Sequence, residues 1–583
     1  MVFKSEIKRA VKKAVKELYQ IEVDPVLEHP AQDSYGDYST NVAMVLARQV
    51  KTDPLEVARR LAEAINGYQL AILESIEAAP PGFVNFRLAK EALLGELNCI
   101  NRKGERFGES VVGKGKTVLI DYSSPNVAKP FGIGHLRSTI VGQALYNLYS
   151  FAGYRTIGEN FLGDWGTQFG KLIYALKTWG DEKELDASER PINILEDLYV
   201  RFQREAEKDS RLEEEGRFWF KKLEEGDKEA RRIWKKLKNW SLAEFEKTYR
   251  LLGVKIDRTT GESVYADRAS EVIADAGKKG IAVESEGALV IFFPEKEGLP
   301  PLILRKSDGA TTYESRDLAT IKARKEKFKP GLVLYEVGAD QTLHFKQLFL
   351  AAQMLGYAKP GELVHVAHGL YRFAEGKMST RLGRTIHLED VLSEAVERAR
   401  KLVECSLTGD SLSKKEVDEI ARAVGIGAVK YNDLSQHYTS EVVFDWEKIL
   451  NLQGNSAPYL QYTYARAVSV LEKARGEQRT ANSEQLAVSR KPLAVSEAEA
   501  PLLRWLYRFP EIVEEAVKVN SPNLICNFLF ELARRFNAFY AELPIIKAEN
   551  EQTKRLRLAI TAATGQTIKN GLTLLGISAP EKL

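Results

Sequence analysis

Cysteine is scarce in this sequence. Its three residues, Cys99, Cys405 and Cys526, are isolated, and none belongs to a C-x-x-C pair or lies near a histidine. A tetrahedral metal site needs such a cluster of ligands. The sequence therefore predicts no metal ligands, and three reduced thiols are typical of a cytoplasmic protein.

A dominant charge and a long apolar segment are also missing. The 84 Lys and Arg residues nearly balance the 81 Asp and Glu residues, and a net charge of +3 is too small to create a field that attracts nucleic acid. No apolar run approaches the roughly 20 residues that span a bilayer. The basic first segment contains Glu6 and Glu17, which argues against an import peptide. We expect a cytoplasmic monomer with no membrane partner.

The length of 583 residues exceeds what one hydrophobic core supports, so three or more domains are expected. Helical apolar spacing over 5–19 and 54–66, with strand-like alternation in VNFRL at 84–88, favours a small α+β unit at the start. The patterns as a whole predict an α+β domain over 1–112, an α/β domain over 113–400, a helical connecting region over 401–447 and an all-α domain over 448–583.

The α/β domain is predicted from buried-strand runs that alternate with helical stretches. TVLIDYSSPN precedes the helical GIGHLRSTIVGQALYNLYSFAG, and the later runs ALVIFF, LVLYEV and LVHVAHGL read as further strands of one parallel, Rossmann-like sheet. Between about 175 and 260 the pattern becomes charged and helical, which indicates an insertion. From about 400 onwards helical periodicity dominates without strands.

Two short motifs point to phosphate chemistry. G-I-G-H at 132–135 stands at a predicted helix start, where backbone N–H groups and the helix dipole favour phosphate and the His135 imidazole can donate to it. K-M-S-T at 377–380 follows the last predicted strand of the sheet, and a lysine on a loop can close over phosphates as a point charge. Each motif alone also fits a structural turn.

Together the two motifs resemble the H-I-G-H and K-M-S-K motifs of class I aminoacyl-tRNA synthetases, in the same order around an α/β domain. Longer matches resemble the arginyl-tRNA synthetase family along almost the whole chain. These matches are GDYSTNVAM at 36–44, PGFVNFR at 81–87, SSPNVAKPFGIGHLRST at 123–139, GDWGTQFGKL at 163–172, GES at 261–263, Tyr313-x-x-x-Asp317, GADQTLHFKQ at 338–347, KMSTR at 377–381, FDW at 444–446, GNSAPYLQYTYAR at 454–466 and the final LLGISAPE.

The resemblance implies an ATP- and Mg²⁺-dependent ligase of protein biosynthesis. Such an enzyme forms arginyl-adenylate and transfers arginine to the 3′-terminal adenosine of tRNA(Arg). The resemblance also implies that tRNA binds before the first step, that the first domain contacts tRNA, and that the last domain binds the anticodon. It assigns ATP binding to Gly132, Gly134, His135, His368, Lys377, Met378 and Ser379, and catalysis to His135, Lys377 and Lys129.

The resemblance assigns the arginine pocket to Asp121, Asn126, Tyr313, Asp317 and Gln341. Physical chemistry agrees with such a set, because a guanidinium is planar, permanently charged and carries five donors, so a selective pocket needs an anion and several acceptors. The sequence leaves open which carboxylate meets the guanidinium. We favour Asp317.

Contacts with tRNA are predicted at both ends of the chain. The aromatic and basic cluster of Tyr459, Gln461, Tyr462, Tyr464 and Arg466 suits stacking on unpaired anticodon bases. Helix packing is the competing interpretation for the tyrosines. By resemblance, Phe83 and Asn85 contact the D-loop.

Three positions depart from the family pattern. Gly132 replaces the first His of H-I-G-H, which removes one expected contact to ATP. Thr380 replaces the second Lys of K-M-S-K, and Lys129 resembles the lysine that takes its place in this family. Phe161-Leu162 stand where a histidine is expected, which puts a third ATP contact in doubt.

Other functions fit the motifs less well. Synthetases for cysteine, glutamine or glutamate share the phosphate motifs, but the cysteine enzyme uses a zinc site that these cysteines do not form, and an acidic pocket suits glutamate poorly. A non-catalytic RNA-binding relative is favoured by Gly132 and opposed by His135 and Lys377. A dinucleotide oxidoreductase needs a full G-x-G-x-x-G with a trailing acidic residue, which does not appear.

Overall fold

The computed structural model describes residues 2–373, 387–406, 412–478 and 495–583. None of the helices in these ranges is long and apolar enough to cross a membrane.

The first domain is a three-stranded antiparallel sheet covered by helices. Asp53 caps one helix by accepting a hydrogen bond from the Glu56 backbone N–H at 3.1 Å, and Pro54 occupies the first helical position. The elements are α1 Val2–Tyr19, β1 Tyr38–Thr40, α2 Val42–Val50, α3 Pro54–Asn66, β2 Leu73–Ala79, β3 Phe83–Leu88 and α4 Lys90–Lys103. The strand order is β1-β3-β2. The predicted helices and strand of this domain are confirmed.

The second domain begins with a βαβ unit and a helical insertion. The unit comprises β4 Thr117–Asp121, α5 Gly134–Phe151 and β5 Arg155–Leu162. The insertion comprises α6 Thr167–Trp179, α7 Glu182–Ala187, α8 Pro191–Lys208, α9 Arg211–Glu224 and α10 Lys228–Leu252. It ends earlier than predicted, because residues 258–261 form a strand that pairs with β5.

Strands that follow the insertion complete the sheet. The next elements are β6 Arg258–Gly261, α11 Ala269–Lys278, β7 Ala282–Ser285, β8 Ala288–Ile291, β9 Leu302–Arg305, α12 Tyr313–Phe328, β10 Leu332–Gly338, α13 Thr342–Met354 and β11 Leu363–His368. The parallel order is β11-β10-β4-β5-β6. The chain adds β5 and β6 on one side of β4, and later adds β10 and β11 on its other side. The strand order therefore reverses between β4 and β10, and α/β folds bind ligands at such a point.

One predicted strand lies in a different sheet. The ALVIFF run contains β8, which pairs antiparallel with β7 and β9 in a separate three-stranded sheet. A short apolar run shows that a strand is buried but does not show which strand it pairs with, and that accounts for the wrong assignment.

The remainder of the described chain is mostly helical, as predicted. It comprises β12 Tyr371–Phe373, α14 Leu388–Ser406, α15 Lys414–Leu434, β13 Val442–Phe444, α16 Trp446–Ile449, α17 Ala457–Gln478, α18 Ala500–Leu506, α19 Phe509–Lys518, α20 Asn523–Glu542 and α21 Glu551–Leu574. The prediction of no strand after about 400 is wrong at β13, which pairs parallel with β12.

The first domain packs against the helical domain through buried polar groups. Glu511 on α19 accepts hydrogen bonds from the Tyr38 hydroxyl at 2.5 Å and from His29 at 3.2 Å. Arg504 on α18 pairs with the buried Asp37. These contacts hold the two ends of the chain together beside the sheet domain.

Candidate functional site

A pocket of about 300 Å³ opens at the carboxyl ends of β4 and β10. All five residues that the sequence assigns to the arginine pocket line it: Asp121, Asn126, Tyr313, Asp317 and Gln341. They come from three separate segments, at 121–126, 313–317 and 341, which the reversal of strand order brings to one edge of the sheet. The remaining lining residues include Ser124, Phe161, Glu262, Arg324, Tyr335 and His344.

Helix α12 carries two of these side chains on one face. Thr312 caps the helix by accepting a hydrogen bond from the Ser315 backbone N–H. Tyr313 and Asp317 are four residues apart and so lie one above the other. The Asp317 Oδ2 atom lies 2.9 Å from the Nε2 atom of His344, whose ring is 5.2 Å from that of Tyr313. The carboxylate therefore has a fixed orientation at the pocket wall.

Asp121 has its charge balanced from within the protein. Its Oδ2 accepts from the Arg324 guanidinium at 2.6 Å, and its Oδ1 accepts from the Ser124 hydroxyl at 2.8 Å. Arg324 also donates to the buried Glu159 at 2.7 Å. Burial raises the pKa of Asp121, while Arg324 acts in the opposite direction. Asp121 lines the pocket with one oxygen bonded to Arg324 and the other to Ser124.

Glu262 is a pocket residue that sequence reasoning did not assign. It follows β6 in the G-E-S segment and lies 3.7 Å from the Arg316 guanidinium. Burial raises the pKa of Glu262 to about 7, against the effect of Arg316 and together with that of Asp317. The family match at 261–263 marked this glutamate, but periodicity and spacing gave it no role.

The G-I-G-H motif lies at the start of α5, as predicted. Gly134 is the first residue of the helix, and a side chain there would meet no atom within 4 Å. The Nδ1 atom of His135 accepts a hydrogen bond from the Gly132 backbone N–H at 3.2 Å. Burial lowers the pKa of His135, and Lys129 and His368 lower it further. Because Nδ1 accepts from Gly132, the ring proton is on Nε2.

His368 ends strand β11 on the same side of the sheet. Its Nδ1 lies 3.0 Å from Oε1 of the buried Glu336 on β10. Burial opposes protonation of His368, but the Glu336 carboxylate outweighs that effect and the pKa of His368 is raised. Lys129 is exposed beside this group. Lys377, Met378 and Ser379 lie outside the residues that the structure describes.

The predicted RNA-binding cluster on α17 divides between two faces of the helix. Gln461 is fully buried and donates to the carbonyls of Ala423 at 3.0 Å and Ser578 at 2.7 Å, so its assignment to RNA is wrong. Tyr464 is also buried, so helix packing is the interpretation that fits this residue. Tyr459 is half-buried and its hydroxyl accepts from Asn537. A helix cannot present adjacent positions to one surface.

Tyr462 and Arg466 do reach the surface, in a groove of about 1000 Å³. The Arg466 guanidinium lies 4.8 Å from the ring centre of Tyr462 and 4.9 Å from that of Tyr540. Tyr540, from α20, is 41% exposed and was not predicted. Lys473 and Lys547 also line the groove. A cation between two exposed aromatic rings suits unstacked bases, although acidic side chains also line this groove.

Phe83 and Asn85 lie on one face of β3, two residues apart. Both are partly exposed, and the Ser39 hydroxyl donates to Asn85 Oδ1 at 2.7 Å. They are accessible to a partner on the surface of the first domain.

Three family models match the chain: the tRNA synthetases class I (R) catalytic domain over 98–446, the DALR anticodon binding domain over 460–583 and the arginyl tRNA synthetase N terminal domain over 3–88. The chain is 39% identical to an arginine--tRNA ligase of Clostridioides difficile over 582 residues, covering 100% of both. It is likewise 39% identical to one of Clostridium perfringens over 584 residues, covering 99% of this chain and all of the relative. The Thermus thermophilus arginyl-tRNA synthetase structure matches with a TM-score of 0.82 at 24% identity, covering 99% and 100% of the two chains.

Proposed function

Since the chain belongs to the arginyl-tRNA synthetase family, we propose that it uses ATP to form arginyl-adenylate and then transfers arginine to the 3′-terminal adenosine of tRNA(Arg). One observation carries the assignment of residues. All five side chains matched to the arginine pocket line a single cavity beside the helix that begins with the phosphate motif.

In the pocket, Asp317 and Glu262 face the substrate guanidinium. Neither carboxylate is paired with Arg324, which forms its ion pair with Asp121. Asn126 and Gln341 supply amide oxygens, and Tyr313 supplies a flat wall and a hydroxyl. A lysine substrate has a compact ammonium that cannot bond two carboxylates in one plane, so the same wall discriminates against it.

The first step is an in-line attack by the arginine carboxylate on the α-phosphorus of ATP, with pyrophosphate as the leaving group. No enzyme nucleophile is needed, so catalysis rests on positioning and charge stabilisation. His135 donates from Nε2 to a phosphate oxygen, because its Nδ1 is already bonded to Gly132. Lys129 adds positive charge, Gly132 and Gly134 allow close approach of the phosphates, and His368 lies beside them.

By resemblance, Lys377, Met378 and Ser379 complete the phosphate site. Mg²⁺ accompanies ATP in this proposal. The described residues contain no group of three acidic, histidine or cysteine side chains that could hold a metal. We propose that the phosphates and water carry the ion. Bound there, Mg²⁺ would neutralise phosphate charge.

In the second step the 2′-hydroxyl of the terminal adenosine attacks the adenylate, as the resemblance implies. Tyr462, Arg466 and Tyr540 form the anticodon surface, and Tyr459 supports them by packing. Phe83 and Asn85 contact the tRNA from the first domain. We place the domains at 1–112, 113–400, 401–447 and 448–583, and we propose that the protein acts as a cytoplasmic monomer.

Pyrophosphate exchange tests this function. The full chain is incubated with ATP, labelled pyrophosphate and each of the twenty amino acids in turn, with and without tRNA(Arg). We expect exchange with arginine alone, and only when tRNA is present. Exchange with another amino acid would refute the substrate, and no exchange under any condition would favour the non-catalytic RNA-binding relative.

A further inference from the structure

A cluster of buried charges lies behind the phosphate motif and outside the arginine pocket. Arg137, in the first turn of α5, is fully buried, and its Nε donates to the buried Asp433 on α15 at 3.1 Å. Arg137 also donates to the carbonyl of Ser440. The Tyr371 hydroxyl, on β12, donates to the other oxygen of Asp433. Four separate segments therefore meet at one ion pair.

This cluster adjoins the histidines of the phosphate site. Arg137 follows His135 by two residues in the same helical turn. Arg137 and Asp433 both act on the pKa of His368, which shows that the ion pair lies close to that ring. The chain after His368 packs on the segment that follows α15, because the Gly369 N–H donates to the Tyr438 carbonyl at 2.9 Å. Asp433 therefore connects the elements that carry both histidines.

Stability alone does not account for this arrangement. Removing an arginine and a carboxylate from water is costly, and packed apolar side chains of similar volume often hold helices together as well or better. The Nη2 atom of Arg137 is buried without a hydrogen bond to any described residue, as is Oε2 of Glu336. A directional pair with defined geometry restricts the position and rotation of α5 more than apolar contacts do.

We propose that Asp433 is a positioning residue for amino acid activation: through Arg137 it fixes the first turn of α5, and so His135, relative to His368. The inference rests on the proposed function, in which His135 contacts the phosphates. The pair lies apart from the arginine pocket, whose own buried network is Arg324 with Asp121 and Glu159. Loss of Asp433 therefore slows turnover and weakens ATP use without weakening arginine binding.

The test is pyrophosphate exchange by the full chain with saturating tRNA(Arg). For Asp433→Asn we expect kcat to fall about tenfold or more, because small misplacements of catalytic groups have effects of this order. The KM for ATP should rise several-fold and the KM for arginine should stay within about twofold. Tyr371→Phe, which removes one hydrogen bond, should show the same pattern with a smaller loss.

Glu511→Gln and Tyr38→Phe are matched controls, since they alter a buried carboxylate and its tyrosine donor at the contact between the first and helical domains. They should lower the melting temperature without changing kcat. An equal loss of kcat in the controls at equal folded fraction, or wild-type kinetics in Asp433→Asn, would overturn the proposal. If Asp433→Asn does not fold, the proposal is tested by comparing kcat of Tyr371→Phe with kcat of Tyr38→Phe. Absence of arginine-dependent exchange in the wild type would instead refute the proposed function.

Discussion

The Nε2 atom of His344 lies 2.9 Å from Oδ2 of Asp317, which joins helices α12 and α13 across the wall of the arginine pocket. This contact occupies one carboxylate oxygen and sets the rotation of the group. Asp121, by contrast, has its charge balanced by Arg324. The two aspartates of the sequence motifs are therefore not equivalent, and we propose that Asp317 is the one that meets a guanidinium.

Asp317→Asn should raise the KM for arginine about a hundredfold, because a lost hydrogen bond between charged groups contributes up to about 3 kcal/mol. The substitution keeps the shape of the side chain, so kcat should change much less. Pyrophosphate exchange over a range of arginine concentrations measures both. Glu326→Gln, on the exposed part of the same helix, is the control and should match the wild type. An unchanged KM would remove Asp317 from the guanidinium site.

Arginine binding should tighten with rising pH. Burial holds the pKa of Glu262 at about 7 in the free enzyme, so this carboxyl is mostly neutral at pH 6 and mostly ionised at pH 8. The guanidinium remains charged throughout and prefers the ionised form. The KM for arginine should therefore fall by about tenfold between pH 6 and pH 8, in proportion to the ionised fraction.

Glu262→Gln separates this group from the other carboxyls of the pocket. Glutamine does not titrate, so the variant should have a raised KM that changes little over the same pH range. A variant that retains the wild-type slope would assign the pH dependence to another group, such as Asp121.

Local motifs predicted the parts of the site that depend on chain neighbours. The strand at 117–121 was predicted from its buried apolar run, and the start of the helix at Gly134 and four of the five pocket residues lie in segments whose sequence resembles the family. The pairing of Arg324 with Asp121 was not predictable, because nothing in the helix spacing of α12 shows that an arginine turns inward to a strand 203 residues away.

The same limit explains the errors on α17 and β8. Gln461 and Tyr462 are adjacent, and both suit RNA by chemistry, but packing decides which faces solvent: Gln461 contacts Ala423 and Ser578, and Tyr462 lies in the groove. For β8, the apolar content showed that the strand is buried but did not show which strands it pairs with. Periodicity predicts elements well, whereas partners that are distant in sequence require the structure.

Lys377→Ala should reduce turnover about a hundredfold or more while arginine affinity stays nearly unchanged. By resemblance this lysine contacts the phosphates, where its charge matters most in the transition state, and the arginine pocket is built from other residues. Pyrophosphate exchange gives kcat and KM separately. Lys278→Ala, at an exposed helix end, is the matched control. Wild-type exchange in Lys377→Ala would defeat the assignment.

Tyr540→Ala and Arg466→Ala should each weaken tRNA(Arg) binding about tenfold or more, since stacking on an aromatic side chain contributes about 1–3 kcal/mol per base. Arg466→Ala should also reduce the salt dependence of binding by about one charge. Filter binding at several salt concentrations measures both. Phe218→Ala, an exposed aromatic on the insertion helix α9, is the control. Normal tRNA affinity in both groove variants would place the anticodon surface elsewhere.

Because Gln461 is buried, Gln461→Ala should lower the melting temperature and leave the salt dependence of tRNA binding unchanged.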